Sequence, residues 1–575
     1  MSHHLLDKYR QRLAAETGMT ANPWGGRLSV ALVYPNSYHQ GMSNLGVQAV
    51  YQLLNTRQDA LCERFFLPDP EDLAEHRRNG FPLVSLETRR PLADFDLIAF
   101  SISFENDYLN LPVIFDLAQL PLWRSERSSR HPLVLCGGVC AFLNPEPLAE
   151  IMDLFAVGEA EVLLPPLLDV LNLAGGLDRE GLLERLACQP GLYIPSLYRA
   201  EYGRGGILRA MVPSPGAPAR IERQWLAALD QFQASTCVAT PDTEFGSMRL
   251  LEVSRGCPRA CRFCAAGFIY RPFREHSTAH LRRELLGSGG GGTKVGLVAA
   301  AVSDYGDLAD LGTAVLAAGG EVSVSSVRID AISSRQIDVL VRSGHKTLAL
   351  APEAGSQRMR DVVNKGIDEA QILSAVQMLA EGGVPNLKLY FMIGLPGETD
   401  EDVAAIGTLT NRIRQIWEAV GKVRGKLGRL NLSVNPFVPK PWTPLQWAPM
   451  EPAARLEKKY RLLRKMIGPL ANVDLQTESL RSAELQGFFA RGDRRCGRVL
   501  PALAAGSNLK AACRDAGLDP ADYLCRERCA EELFPWEIIG QGVRRDYLWQ
   551  EYRAALAATP GQVCRPGCRR CGLSC

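Results

Sequence analysis

Residues 249–264, RLLEVSRGCPRACRFC, run an apolar strand candidate into three cysteines, Cys257, Cys261 and Cys264, spaced C-x3-C-x2-C on one tight loop. Five more apolar runs follow, separated by helical patterns: KVGLVAAAVSD (294–304), EVSVSSVRID (321–330), TLALAPEAG (347–355), NLKLYFMIGLPGE (386–398) and RLNLSVNPFVP (429–439). This alternation predicts a βα barrel of TIM type, complete or partial, over residues 246–480. The stretch GSGGGG (287–292) reads as a turn or flexible loop, because Thr293-Lys294 stands where a phosphate cradle ends in Gly-Lys-Ser/Thr.

Upstream the same rhythm recurs in LSVALVYP (28–35), a helical stretch from Gly41 to Leu54, DLIAFSISF (96–104), HPLVLCGG (131–138) and DLFAV (153–157). It predicts an α/β, parallel, doubly wound domain over 27–175. A polar amphipathic extension, 1–26, precedes it, and an irregular Pro/Gly-rich connector with a few short strands, 176–245, follows. Residues 481–575 read as helical and rich in arginine and cysteine. A chain of 575 residues has length for several cores, and 46% hydrophobic with 22% charged residues excludes disorder, collagen and coiled coil as the main state. Lys and Arg at 65 against Asp and Glu at 63 give +2, so no global field points to nucleic acid or an anionic membrane. No run of about 18 apolar residues and no leader pattern is visible, which gives the expectation of a cytoplasmic protein without membrane contact. In a reducing compartment sixteen cysteines read as metal or redox ligands.

Three thiolates on one loop hold three irons of a cubane and leave the fourth open to a chelating small molecule. The competing reading is a zinc loop, which wants a fourth ligand; the nearest candidates, His276 and His280, lie beyond the loop. Here the sequence resembles the radical S-adenosylmethionine (radical SAM) superfamily, whose loop is CxxxCxxC with an aromatic, here Phe263, before the last cysteine, after the first strand of a βα barrel. The resemblance implies a [4Fe–4S] cluster, S-adenosylmethionine cleaved reductively to a 5′-deoxyadenosyl radical, and a reducing partner of flavodoxin or ferredoxin type. It also implies ligand-facing roles for Glu353 in LAPEAGS (350–356), whose other reading is a solvated loop carboxylate, and for Gly394, Pro396 and Gly397 in the turn that approaches the adenine. Where the family carries Gly-Gly-Glu against the methionyl amine, this chain has AAVSD (300–304), so Ser303 and Asp304 are the amine candidates. Ser325 and Arg328 are those for the carboxylate.

The front domain resembles the cobalamin-binding type of flavodoxin-like unit, through Tyr34-Pro35, GMSNLG (41–46), Ser101-Ile102-Ser103, Gly137-Gly138 and GEAE (158–161). Gly41, Ser101, Gly137, Gly138 and Gly158 are the small residues expected to admit a corrin. The cobalt-ligand motif Asp-x-His-x-x-Gly is absent, and His39 reads either as a cobalt ligand or as a satisfied loop histidine. The arrangement over roughly 27–500 resembles an uncharacterised bacterial radical SAM family with such a front domain. Cys564, Cys568, Cys571 and Cys575 form a second group, C-x3-C-x2-C-x3-C, read as an auxiliary iron–sulfur site, as zinc or as a thiol-rich tail. Cys525 and Cys529 either complete a site with Cys496 or Cys513 or lie on an ordinary helix face. Arg491, Arg494, Arg495 and Arg498 read as a solvated helix face or as a patch touching phosphate, and VNPFVPKPWTP (434–444) reads as a rigid Pro-rich loop or as similar to the last strand of methylthiotransferase-like barrels; the second reading of each raises modification of RNA or a ribosomal component beside cobalamin-assisted methyl transfer. A non-catalytic iron–sulfur scaffold or electron carrier is the reading from another class.

Overall fold

The computed structural model describes residues 3–173, 175–287, 294–565 and 567–573; Cys575 and most of the GSGGGG stretch lie outside them. After helix α1 (His3–Ala14) the chain enters β1 (Leu28–Tyr34), then α2 (Leu45–Asn55), β2 (Ala60–Phe66), β3 (Leu97–Ser101), β4 (Leu133–Gly137) and β5 (Leu154–Ala156), followed by α3 (Ala160–Asn172) and β6 (Leu192–Tyr193). These six strands form one sheet in the order β2-β1-β3-β4-β5-β6. All pairs are parallel except β5 with β6. Every residue of β2 and six of the seven in β1 are buried, as strands covered on both faces require. The order of the first five strands is the flavodoxin-like one, and such sheets bind ligands beyond the carboxyl ends of their strands, where the order reverses between β1 and β3.

The second unit begins with β7 (Arg249–Glu252), which passes through the cysteine loop into the short helix α4 (Ala266–Ile269), and continues with β8 (Lys294–Val298) and β9 (Glu321–Val324). Then come β10 (Thr347–Glu353), α5 (Gln357–Val362), β11 (Asn386–Ile393), α6 (Asp400–Val423), β12 (Leu430–Pro436), α7 (Ala453–Ile467) and β13 (Val473–Thr477). Its strands form two parallel sheets, β7-β8-β9 and β10-β11-β12-β13. A backbone bond from Val327 N–H to the Ala349 carbonyl, 3.1 Å, joins the stretch after β9 to β10. The arrangement is a partial barrel. Strict alternation of buried and half-buried residues along β11 and β12 gives each strand one core face, with Leu387, Leu389, Phe391 and Ile393 on one and Leu430, Leu432 and Val434 on the other. The last two labelled helices, α8 (Leu480–Arg491) and α9 (Arg545–Leu556), belong to the carboxyl-terminal region.

Several boundaries differ from the expected ones. The front sheet runs on to Tyr193, and Val238–Ala239 pairs with Thr17–Gly18, so the connector supplies strands and ties down the amino-terminal extension. Ile539–Gly540 pairs with Ile221–Glu222, placing a strand in the region read as helical. A two-residue strand carries no period for a sequence pattern to show.

Candidate functional site

The cysteine loop is fixed from three sides. Gly256 opens it at φ +91°, where a Cβ would lie 2.6 Å from the Tyr270 carbonyl, so only glycine turns there. Cys264 N–H donates to the Cys261 carbonyl (3.2 Å), and Gly267 N–H to that of Cys264 (3.2 Å), winding the third cysteine into α4. Arg262, fully buried, is the strut: its backbone N–H donates to the Val363 carbonyl, and its guanidinium reaches Glu551 on α9 (3.0 Å) and the carbonyls of Asp361 (3.0 Å) and Thr559 (2.9 Å). Asn364 adds a bond to the Ala260 carbonyl (3.0 Å) and accepts one from Gly561 N–H (2.8 Å). Burial pushes the Cys264 thiol up to about 12, with Cys261 and Cys257 adding to the effect, and raises Cys257 in the same way. Burial thus disfavours free thiolates here, and ligation to a metal, which displaces the thiol proton, is what would stabilise them.

Two pairs of opposite charge flank the loop. Arg259, between the first two cysteines, binds Asp304 (2.6 and 3.0 Å) and Asp330 (2.9 Å), while Arg328 pairs with Asp330 and gives its backbone N–H to Ser303 Oγ (2.9 Å). Ser303, Asp304 and Arg328 are thus brought together; Ser325, expected beside Arg328, is exposed just past β9. Glu353 sits in the left-handed region at φ +67° where the β10–β11 register shifts, and its carboxylate meets the half-buried Lys365 (2.9 Å). Burial opposes the Lys365 charge, yet Glu353 and Cys261 outweigh it and hold the ammonium above its usual range. The expected solvated alternative for Glu353 is set aside by this pairing. Arg259, Arg262 and Lys365 were not singled out in the sequence, because their partners lie 45 to 289 residues away or on a separate turn.

A cavity of about 480 Å³ opens between the two units. Its front-domain wall is α2 with Ser101, Ser103, Gly138, Gly158 and Ala160 at the strand ends; its barrel wall is Glu252, Ser254, Arg255 and Gly256, next to Cys257, with Val298 to Ala300 beyond β8. Arg255 spans the seam: it binds Glu159 (2.7 Å), Glu161 (2.8 Å) and Glu252 (2.7 Å). Arg274 clamps Glu159 from the other side (2.7 and 3.0 Å). Burial raises the Glu159 carboxyl, but Arg274 and Arg255 prevail and hold it below the usual range.

Of the small residues expected to admit a corrin, Ser101, Gly138 and Gly158 line this cavity and Gly41 and Gly137 do not. Gly41 is small because Phe66 packs on it; a Cβ would stand 2.4 Å from that ring. Gly138 and Gly158 are also required by backbone, that of Ile102 and Gln224 respectively. His39 lies outside the cavity lining and bonds Asp242 through Nδ1 (2.9 Å), the satisfied loop histidine of the two readings. Gly394 and Gly397 take φ +81° and +72°, with Gly394 N–H on Glu398 (2.7 Å), and Pro396 is half-buried between them. Phe263 packs against the core.

His276 and His280 stack on each other and form with Asp230 the one group of such ligands within 4.8 Å among the described residues. They do not join the thiol loop: His276 bonds Asp230 (3.1 Å) and His280 bonds Gln233 (2.9 Å), with Arg283 on its other nitrogen. In the carboxyl-terminal region Cys496 and Cys513 are buried, whereas Cys525 and Cys529 are exposed, so these four make no common site. Arg491 is buried, and Arg494, Arg495 and Arg498 pair with Glu146, Asp493 and Glu150. The four therefore form no free basic surface: Arg491 donates to the Ala448 and Arg526 carbonyls, Arg494 and Arg495 are half-buried in their ion pairs, and only Arg498 is exposed.

Comparison with known proteins bears on this assembly. Residues 251–409, from β7 through the thiol loop and into α6, match the family profile described as the radical SAM superfamily, and residues 46–195 match that of radical SAM proteins, N-terminal. The chain belongs to the radical SAM superfamily. It is 29% identical over 480 residues to the uncharacterized protein MJ0966 of Methanocaldococcus jannaschii, covering 82% of this chain and 90% of that one. Among solved structures it is similar to the radical S-adenosylmethionine methyltransferase TsrM of Kitasatospora setae with cobalamin and a [4Fe–4S] cluster bound (TM-score 0.48, 14% identity, 84% of this chain and 100% of that one). It is also similar to the cobalamin-dependent S-adenosylmethionine radical enzyme OxsB (TM-score 0.43, 15% identity, 67% and 52%). Among the described residues no helix of this radical SAM protein is long and apolar enough to cross a membrane.

Proposed function

We propose that this radical SAM enzyme functionalises a C–H bond, with methyl transfer from cobalamin as the leading form, in the cavity between its two units. The observation that carries this reading is position: the cavity reaches Gly256, adjacent to Cys257, on one side and the carboxyl ends of the flavodoxin-like sheet on the other. Cys257, Cys261 and Cys264 would hold three irons of a [4Fe–4S] cluster, which supplies the electron that cleaves S-adenosylmethionine to methionine and a 5′-deoxyadenosyl radical. The zwitterionic methionine end calls for one cation and one anion, and the chain offers Asp304 with Arg328 and Glu353 with Lys365 beside the cysteines. A one-electron reductant completes the requirement. A corrin there would be held by Asn44, Ser101 and Ser103 and by the apolar side chains of Leu45, Val139 and Phe142, all of which line the cavity. Ser254, Glu252 and Arg255 present the polar wall that positions a substrate, and the apolar wall excludes water.

The test uses anaerobically reconstituted protein with dithionite. Formation of 5′-deoxyadenosine by the wild type and its loss in the triple Cys257→Ala, Cys261→Ala, Cys264→Ala variant is the expected result; iron-loaded wild type that never cleaves S-adenosylmethionine overturns it. Added hydroxocobalamin should co-elute with the wild type in gel filtration and fail to do so with Ala160→Trp, while His39→Ala retains it.

A further inference from the structure

The tail repeats the spacing of the radical loop. Cys564, Cys568 and Cys571 stand as C-x3-C-x2-C, as Cys257, Cys261 and Cys264 do, and each trio has an arginine directly after its second cysteine, Arg569 and Arg262. The tail folds into two successive turns, with Cys568 N–H on the Arg565 carbonyl (2.9 Å) and Gly572 N–H on that of Arg569 (3.0 Å). Arg570 reaches back to the Gln562 and Val563 carbonyls (3.1 and 3.2 Å) and donates through Nε to Cys568 Sγ (3.4 Å), closing the loop that carries Cys564 against Cys568. Arg544 N–H pins the Cys571 carbonyl (2.7 Å). The segment just before the tail is tied to the radical loop and its support by two hydrogen bonds, Arg262 to the Thr559 carbonyl and Gly561 N–H to Asn364.

Arg271 gives the second, independent indication of a ligand. Its side chain, 3% exposed, bonds the Gly267 carbonyl through Nε (2.6 Å), and Gly267 in turn donates to Cys264. Its Nη2 is buried without a hydrogen bond of good geometry, and the acceptor within its reach is the Cys571 sulfur, with Tyr547 and Cys564 nearby. A buried guanidinium N–H so poorly bonded is expensive unless an anion receives it. Among the described residues neither cysteine trio gathers its three sulfurs within 4.8 Å of one another. The sulfur–sulfur edge of tetrahedral zinc is about 3.8 Å, given Zn–S bonds of about 2.3 Å. A wider set of thiolates facing arginines suits a polynuclear, net-negative centre.

We infer that Cys564, Cys568 and Cys571 ligate a second iron–sulfur cluster, seated between Arg271 and Arg570. The inference is independent of what the front cavity binds. Its test compares the reconstituted full chain, the radical-loop triple Ala variant and a tail triple variant, Cys564→Ser, Cys568→Ser, Cys571→Ser, for iron, acid-labile sulfide and zinc, and by electron paramagnetic resonance with and without S-adenosylmethionine. Wild type should hold about eight irons, as two cubanes require, and each triple variant about four. The tail variant should keep a signal that S-adenosylmethionine perturbs, and the loop variant one that it does not. Should the tail variant fail to fold, the wild type alone decides: two overlapping signals with only one responding to S-adenosylmethionine support a second cluster, and a single responding signal at about four irons overturns it. Zinc recovered from the wild type and lost with the tail cysteines also overturns it. Loss of S-adenosylmethionine cleavage with both clusters present would instead strike the catalytic reading and leave this one standing.

Discussion

Arg262 shows how one side chain transmits the carboxyl-terminal region to the thiol loop. Its charge is buried and balanced by a single carboxylate, Glu551, so Glu551→Ala leaves an unpaired guanidinium inside the protein at a cost of about 3–5 kcal/mol. The expected outcome is a lower unfolding midpoint in urea and iron lost from the radical loop at temperatures the wild type tolerates, measured by denaturation and iron titration; Glu551→Asp should recover part of both. Asp107 is a residue-scale case with a pH signature. Burial pushes its carboxyl up to about 6, Asn36 opposing and Glu105 adding to the rise. Because the folded value lies above the unfolded one, the stability tied to this proton is present below about pH 4 and is lost as pH rises through about 6. Asp107→Asn should therefore stabilise the protein by about 1–3 kcal/mol at pH 7.5, with the gain shrinking as the pH falls toward 4 in paired urea titrations.

At the scale of elements, the turn after β11 illustrates a strand end shaped by its surroundings. Gly394 takes φ +81°, and a Cβ there would lie 2.8 Å from Leu456 and 3.3 Å from Glu451, both on or next to α7. Gly394→Ala should cost about 1–3 kcal/mol in stability and weaken S-adenosylmethionine binding, read as a raised KM for 5′-deoxyadenosine formation. Such a turn was legible in NLKLYFMIGLPGE because a long apolar run ending in Gly-x-Pro-Gly has one reading. The other five barrel strands and β1, β3, β4 and β5 of the front sheet were legible for the same reason: central parallel strands are apolar runs bounded by turns. β2 was not legible, because Glu63 and Arg64 break the apolar run of ALCERFF. β6 and β13 were not: one is two residues long, and VDLQT in the other alternates half-buried with exposed positions and offers no apolar face. The thiol loop was readable from spacing alone. Its supports were not, since Glu551, Asp304 and Val363 become neighbours of the loop only when the chain folds.

For the molecule as a whole, the decisive joint is the seam between the two units, where one buried carboxylate serves three arginines. Glu159 follows β5 of the front sheet; Arg255 precedes the thiol loop, Arg274 follows α4, and Arg223, in the connector, stands 3.8 Å away. The carboxylate also accepts Leu226 N–H (2.9 Å), so it fixes front sheet, connector and barrel at one point on the cavity wall. Removing its charge with Glu159→Gln keeps the shape and leaves Arg274 and Arg223 without a carboxylate in a buried site, while Arg255 keeps Glu161 and Glu252. The expected loss is about 3–5 kcal/mol, concentrated in docking and not within either sheet. Thermal unfolding should then split into two transitions, and the connector between residues 203 and 247 should become the first site of proteolysis. Acid should mimic the substitution. The Glu159 carboxyl is held below its usual range, so its contribution is present above the unfolded value and disappears as pH falls through the folded one. The splitting seen in Glu159→Gln at pH 7.5 should therefore emerge in the wild type only in strongly acidic buffer. A Glu159→Gln protein that unfolds in one transition, with unchanged cleavage of S-adenosylmethionine and unchanged corrin binding, would show that the cavity is held by its apolar walls alone.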